Sequence, residues 1–251
     1  MIDLTINLFI LFFFLGLFAG FFDSISGGGG LLTIPVMLIA GVPPLVALGT
    51  NKLQGLFGTA SATITFAMKG HLNFKALWPT ALFCFLASII GALIASYIPE
   101  KKLAVFLPYV LILIAFYFGL SKNMNSPKEK PILPFFILAC IILPIIGLYD
   151  GVFGPGAGSF YMLAFISIGG LGIIQATAQT KLMNFSSNMG GFMYFSIIGA
   201  INWEIGLTMA LGQILGSTIG ARLAIKKGIK IIKPLLVTVC ILTALRLLYQ
   251  Y

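Results

Sequence analysis

The chain is 251 residues long; 59% of them are hydrophobic, only 8% are charged, and the mean hydropathy is +1.09. A soluble domain of ordinary composition is about 25% charged, so this sequence lacks the material for a water-facing shell, which argues against a soluble enzyme, a nucleic-acid module and a disordered segment. The net charge of +9 reads instead as lysine and arginine gathered in loops, where they set orientation in a membrane, and no nucleic-acid partner is expected.

In chain order, the apolar residues fall into blocks of roughly 16–22, about what a helix needs to cross a bilayer. The first block is Leu4–Phe22. It is preceded by Met1-Ile-Asp with no basic stretch and outruns the apolar core of a cleavable signal, so it reads as a retained helix. A glycine-rich stretch, Asp23–Gly30, follows. The next block is broken at Gly41-Val-Pro-Pro44. Proline suits a helix's first turn and not its interior, so a short helix over about 31–40 and a new one from Pro44 to Met68 are predicted. A polar loop, Lys69–Lys75, leads to a span Leu77–Ile98. Pro99–Lys102 separates it from Leu103–Leu120. Ser121–Lys130 is the longest hydrophilic run, and Ile132–Leu148 comes after it.

The pattern then restarts. Gly147–Phe153 echoes Gly16–Phe22 at an offset of 131; after the glycine-rich stretch the offset becomes 129. At 129, Lys52 falls on Lys181, Gly70 on Gly199, Asn73 on Asn202 and Gly91 on Gly220. The lysine match carries most weight, because charge is scarce here. The reading is an all-α polytopic membrane protein with an internal repeat: one transmembrane domain over 1–251, repeat 1 over 4–120, a cytoplasmic linker over 121–131 and repeat 2 over 132–251. An odd number of crossings separates equivalent points whether residues 31–68 and 160–201 span or re-enter. The topology expected is therefore inverted, with eight spans plus two re-entrant hairpins, or ten spans. Repeats with interrupted helices at matching places mark secondary transporters.

That topology puts Lys69, Lys75, Lys122, Lys128, Lys130, Arg222, Lys226, Lys227, Lys230 and Lys233 on one side. Lys101, Lys102 and Arg246 fall on the other, with Glu100, Asp150 and Glu204. The lysine-rich side is cytoplasmic by the positive-inside rule, which leaves both termini outside. The cluster from Arg222 to Lys233 is also a candidate for anionic lipid. Cys84, Cys140 and Cys240 each stand alone in apolar sequence and His71 is the only histidine. Neither a disulfide framework nor a metal centre is expected.

Lys52 and Lys181 are the first candidates for chemistry. A cation at membrane depth costs on the order of 3 kcal/mol on insertion scales and usually faces a cavity or pathway. Two ammonium groups on one cavity suit a small anion; the alternative is that each lysine snorkels or neutralises Asp23 or Asp150. Thr50, Asn51 and Gln54 flank the first lysine, and Gln179, Thr180 and Asn184 the second. The stretches Gly27–Gly30 (with Gly28, Gly29 and Gly30) and Gly154–Gly158 (with Gly156 and Gly158) each precede a helix. Their N–H groups could meet an anion, or they could serve packing or a hinge. Neither has the sequence of a phosphate loop or dinucleotide fingerprint, so no cofactor is expected. Asp23 and Asp150 are candidates for proton or ion coupling. Asn188, with Ser24, Ser26, Ser159 and Ser187, is a candidate lining group. Gly212-x3-Gly216-x3-Gly220 reads as a helix-contact face, and Trp78 and Trp203 as interfacial anchors.

The run Gly20–Pro35 followed by Gly49-Thr-Asn-Lys-Leu-Gln54 resembles the sulfite exporter TauE/SafE family of membrane transporters. So do Tyr149–Phe160, Ala178–Asn184 and Ser187–Gly191 in the second half. The resemblance implies a bacterial inner-membrane protein of the toluene-sulfonate uptake permease class. It implies transport of sulfite, sulfonates or other small sulfur-containing or organic anions. An anion channel is the alternative. A membrane-embedded enzyme, such as an intramembrane serine protease using Ser159, needs a base within hydrogen-bond reach, and His71 lies in a loop assigned to the cytoplasmic side.

Overall fold

The structure is a computed structural model that describes residues 6–103, 105, 109 and 131–227. Most of the expected span Leu103–Leu120, nearly all of the expected linker and the basic residues beyond Lys227 lie outside the described residues, as does Cys240. Within the described residues there are helices and no strands. They are α1 (Ile6–Ser26), α2 (Gly30–Ile39), α3 (Pro44–Met68), α4 (Phe74–Tyr97), α5 (Phe135–Val152), α6 (Ala157–Leu163), α7 (Ile173–Ile197) and α8 (Trp203–Lys227). Wide π-type turns interrupt α5 at Leu138–Ile142 and extend α6 over Ala164–Ile168.

Local sequence sets these boundaries, and it does so twice. Pro44 opens α3 at its first turn. Gly70 and Gly199, 129 apart, close α3 and α7 with φ of +75° and +70°, the left-handed stop that glycine takes without a Cβ penalty. Asn73 and Asn202, also 129 apart, cap α4 and α8 by accepting from the N–H of Ala76 (3.3 Å) and Ile205 (3.0 Å).

Polarity is distributed inside out. Phe9, Phe14, Phe18, Leu86, Ile90 and Leu211 face outward, whereas Lys52, Lys181, Asp150 and Gln54 are 2% exposed or less. Hydrocarbon, not water, satisfies that outer surface. α1, α4 and α5 are each long and apolar enough to cross a membrane. α3, α7 and α8 have 25 residues each, about 37 Å of helix, and bury Lys52, Lys181 and Gln213 respectively. α2 has ten residues, about 15 Å, half of a hydrocarbon core of roughly 30 Å. The segment 31–68 is thus a half-length helix followed by an unbroken long one.

The helices pack in a pattern that maps onto itself when the halves are exchanged. α1 lies along α8 as α5 lies along α4; α3 also touches α8 as α7 touches α4; α3 and α7 meet at the centre. The glycine stripe of α8 is the expected contact face: Gly212, Gly216 and Gly220 fit against Phe13, Leu17 and Phe21 of α1. Those contacts advance together along both chains. Across α3 and α7 they run in opposite senses, with Gly49 at Ala200, Lys52 at Gly191 and Gly55 at Asn188.

One register differs from the sequence echo. A Cβ on Gly20 would lie 2.6 Å from the Gln213 carbonyl oxygen, and one on Gly147 would lie 2.8 Å from that of Cys84. Cys84 and Gln213 are 129 apart, so packing equates Gly20 with Gly147 and Asp23 with Asp150, an offset of 127 and not 131. The echo is four residues out, about one helical turn. Such a slip keeps the same face forward, so Gly20 falls on a glycine in either register, Gly151 at 131 and Gly147 at 127.

Candidate functional site

α1 stops at Ser26, the chain turns through Gly27–Gly29, and α2 starts at Gly30; α5 stops at Val152 and α6 starts at Ala157. The two breaks touch. Ser159 donates its N–H to the Gly27 carbonyl (3.0 Å) and its hydroxyl to the Ser26 carbonyl (2.5 Å). Gly27, Gly154 and Gly156 have φ of +80°, +88° and +76°. Both breaks therefore need glycine for backbone conformation as well as closeness.

The lysines close on these breaks from the central helices. Lys52 on α3 places Nζ 2.6 Å from Asp150 Oδ1. Lys181 on α7 donates to the Asp23 backbone carbonyl and lies 3.4 Å from its Oδ2. Each lysine is thus paired with the aspartate of the other half of the chain. The remaining carboxylate oxygens are also held: Asp23 Oδ1 accepts from Gly29 N–H (3.1 Å), and Asp150 Oδ2 accepts from Ser187 Oγ. A lone buried charge costs several kcal/mol, and this mutual neutralisation offsets part of that cost.

Beside the pairs lies a small polar cavity of about 20 Å³. That is room for a water and far below the 300–1,000 Å³ of ligand pockets, so the site is closed in this conformation. Of the expected residues, Asp23, Gly29, Gly30, Asn51 and Gln54 line it from the first half. Asp150, Gly156, Gly158, Asn184 and Asn188 line it from the second. Lys52 and Lys181 stand behind the aspartates.

Other expected residues take different places. Thr50 accepts from the Asn202 N–H (2.9 Å), tying α3 to the start of α8. Gly28, Gln179 and Thr180 are not on the cavity wall. Buried Gln179 Oε1 and Thr180 Oγ1 have no hydrogen-bond partner among the described residues. Ser24 and Ser26 bond back to Phe21 and Phe22 on their own helix. Among the described residues no three His, Cys, Asp or Glu side chains gather as metal ligands would. Cys84 Sγ lies 3.8 Å from Met183 Sδ. Sequence reasoning missed Gln213, Thr59 and Gly55, which share the cavity wall. Gln213 sits inside the glycine stripe of α8, where the small residues on either side point to packing alone.

A helical bundle with an apolar exterior, a buried ionic centre and two broken helices meeting there has the build of a membrane transporter. The chain belongs to the sulfite exporter TauE/SafE family, whose model matches residues 12–247. It is 52% identical to a "Probable membrane transporter protein ORF9" of a Sinorhizobium species, over 98% of this chain and 94% of that one. It is 41% identical to the "Probable membrane transporter protein YfcA" of Escherichia coli K12, over 95% and 88%. A "Probable membrane transporter protein" of Haemophilus influenzae is 36% identical over 99% and 97%. No solved structure matches.

Proposed function

We propose that the protein is a secondary transporter carrying a small anion, such as sulfite, a sulfonate or another sulfur-containing or organic anion, across the bacterial inner membrane by alternating access. The observation that carries this reading is the exchange of ion pairs between the halves, Lys52 with Asp150 and Lys181 with Asp23. The centre holds two positive and two negative groups and is neutral as it stands. An anion can enter without leaving net charge in hydrocarbon if one carboxylate takes a proton. The freed ammonium then faces the anion in place of the carboxylate. Anion and proton move together, which gives Asp23 and Asp150 the coupling role.

Two inverted repeats rocking about this centre would expose it to each side in turn. The opposite run of α3 and α7 supports the inversion. So does the charge distribution: Lys69 of the first half meets Arg222 and Lys226 of the second in one groove, as a shared cytoplasmic face requires.

The test is uptake into proteoliposomes of sulfite, sulfate, thiosulfate, ethanesulfonate and acetate under an imposed proton gradient. Lys52→Gln and Lys181→Gln are each expected to abolish uptake and counterflow while inserting normally. Full transport by both variants would overturn the reading. A channel would give flux without counterflow.

A further inference from the structure

The cavity wall carries a chain of three side-chain amides. Gln213 on α8 donates from Nε2 to Gln54 Oε1 on α3. Gln54 donates from Nε2 to Asn51 Oδ1 (2.7 Å), one turn earlier. Asn51 Oδ1 also accepts from Thr33 Oγ1 on α2 (2.7 Å). All four residues are 5% exposed or less. The bonds all point one way, and the consequence falls on the far end. With Oδ1 occupied by two donors, Asn51 presents Nδ2 to the glycine breaks. A Cβ on Gly154 would lie 3.4 Å from that nitrogen, and one on Gly30 would lie 3.2 Å from it and 3.4 Å from Oδ1.

We propose that Gln213 and Gln54 are positioning residues that fix the polarity of the Asn51 amide, so that a hydrogen-bond donor faces the transported anion. This rests on the anion reading above. An amide can offer either a donor or an acceptor, and only the donor suits an anion. If Asn51 turned over, its Nδ2 would meet the Gln54 Nε2, donor against donor. Gln54 is held from turning in the same way by Gln213. At the free end, Gln213 Oε1 is buried without a partner among the described residues, and Gln213 Nε2 is the donor that Gln54 receives.

The relay exists once. The α7 and α4 positions equivalent to Gln54 and Gln213 at offset 129 are Met183 and Cys84, in contact through sulfur; Thr180 stands where Asn51 does. The polar cavity lies on the relay's side and touches none of those three. The donor is therefore one-sided in an otherwise paired centre.

The experiment measures KM and kcat for the best-transported of the five anions above in proteoliposomes. Gln213→Met keeps the side-chain size and removes the donor. It is expected to raise KM about tenfold, with kcat within about twofold. Gln213→Glu offers acceptors only when ionised, which reverses the chain and turns Asn51 Oδ1 to the anion, whereas its protonated form still donates; KM is therefore read at the alkaline end of a pH series. There Gln213→Glu is expected to raise KM about a hundredfold, the span of a hydrogen bond to a charged group. Adding Gln213→Met to Asn51→Ala is expected to change nothing further, because coupled sites are not additive. Met183→Leu is the control and keeps the original KM.

A merely structural role would lower yield and thermal stability and leave KM alone. If Gln213→Met does not fold, Gln54→Met takes the same measurement. An unchanged KM in the folded variant, or additivity with Asn51→Ala, overturns the proposal. If the lysine variants are dead and Gln213→Met behaves as the parent, only this inference falls. If the parent moves none of the five anions, the transport reading falls and takes this inference with it.

Discussion

At the scale of single residues, the ion pairs are where a structural and a transporting role for the buried lysines can be told apart by substitution. Asp150→Leu strands the Lys52 ammonium at 1% exposure. Stranding one partner of a buried pair costs about 3–5 kcal/mol, whereas replacing both with apolar groups is often neutral or stabilising. Asp150→Leu is therefore expected to show a large drop in Tm, measured by fluorescence-detected size exclusion of detergent-solubilised protein. The double variant Lys52→Met with Asp150→Leu is expected to regain most of that Tm and still carry no anion. A double variant that transports normally would make the pair a strut and nothing more. The lysines were legible in the sequence because cations are rare in apolar runs and these two recur at matched positions. Asp23 and Asp150 were legible as possible partners, but which lysine takes which was not. Lys52 and Asp150 are 98 residues apart, and Lys181 and Asp23 are 158 apart. Local pattern carries no information about such pairings. The same holds for Gln213, whose partner Gln54 is 159 residues away.

At the scale of elements, the glycine breaks separate two costs that glycine relieves. Gly27 and Gly41 have nearly the same backbone, with φ of +80° and +85°. A Cβ on Gly41 meets nothing within 4 Å, whereas one on Gly27 lies 2.6 Å from Ser159 N and 2.7 Å from Gly158 Cα. Gly41→Ala is expected to cost only the left-handed penalty, about 1–2 kcal/mol, visible as a modest fall in Tm with transport retained. Gly27→Ala has to push the two breaks apart and is expected to abolish transport. Equal effects from both substitutions would show that contact between the breaks is unimportant. Helix boundaries such as Pro44 and Met68 were readable because proline and polar loops act locally. The equivalence of α1 with α5 was not, because glycine spacing favours offset 131, which matches both Gly16 and Gly20, over offset 127, which matches Gly20 alone. Only the packing partners of Gly20 and Gly147, Gln213 and Cys84, select offset 127.

At the scale of the whole molecule, the exchange of halves governs orientation. α1 and α8 run in the same direction, as do α4 and α5, while α3 and α7 oppose one another. Lys69 at the end of α3 meets Arg222 and Lys226 near the end of α8, and Glu204 opens α8 at its other end. A parallel duplication would carry equivalent helices in the same direction and scatter these charges over both faces. An inverted one gathers the lysines and arginines on the face that the membrane keeps inside. The two arrangements separate in a labelling experiment on a cysteine-free background, in which Cys84, Cys140 and Cys240 are replaced. A membrane-impermeant thiol reagent applied to intact cells is expected to modify Glu204→Cys, since the proposed topology puts the first turn of α8 outside. Lys69→Cys and Lys226→Cys are expected to stay unmodified until the membrane is opened, and then to react together. Labelling of Lys69→Cys from outside, or of all three from the same side, would remove the inverted arrangement. It would also remove the geometric basis for two lysines from opposed helices sharing one buried centre.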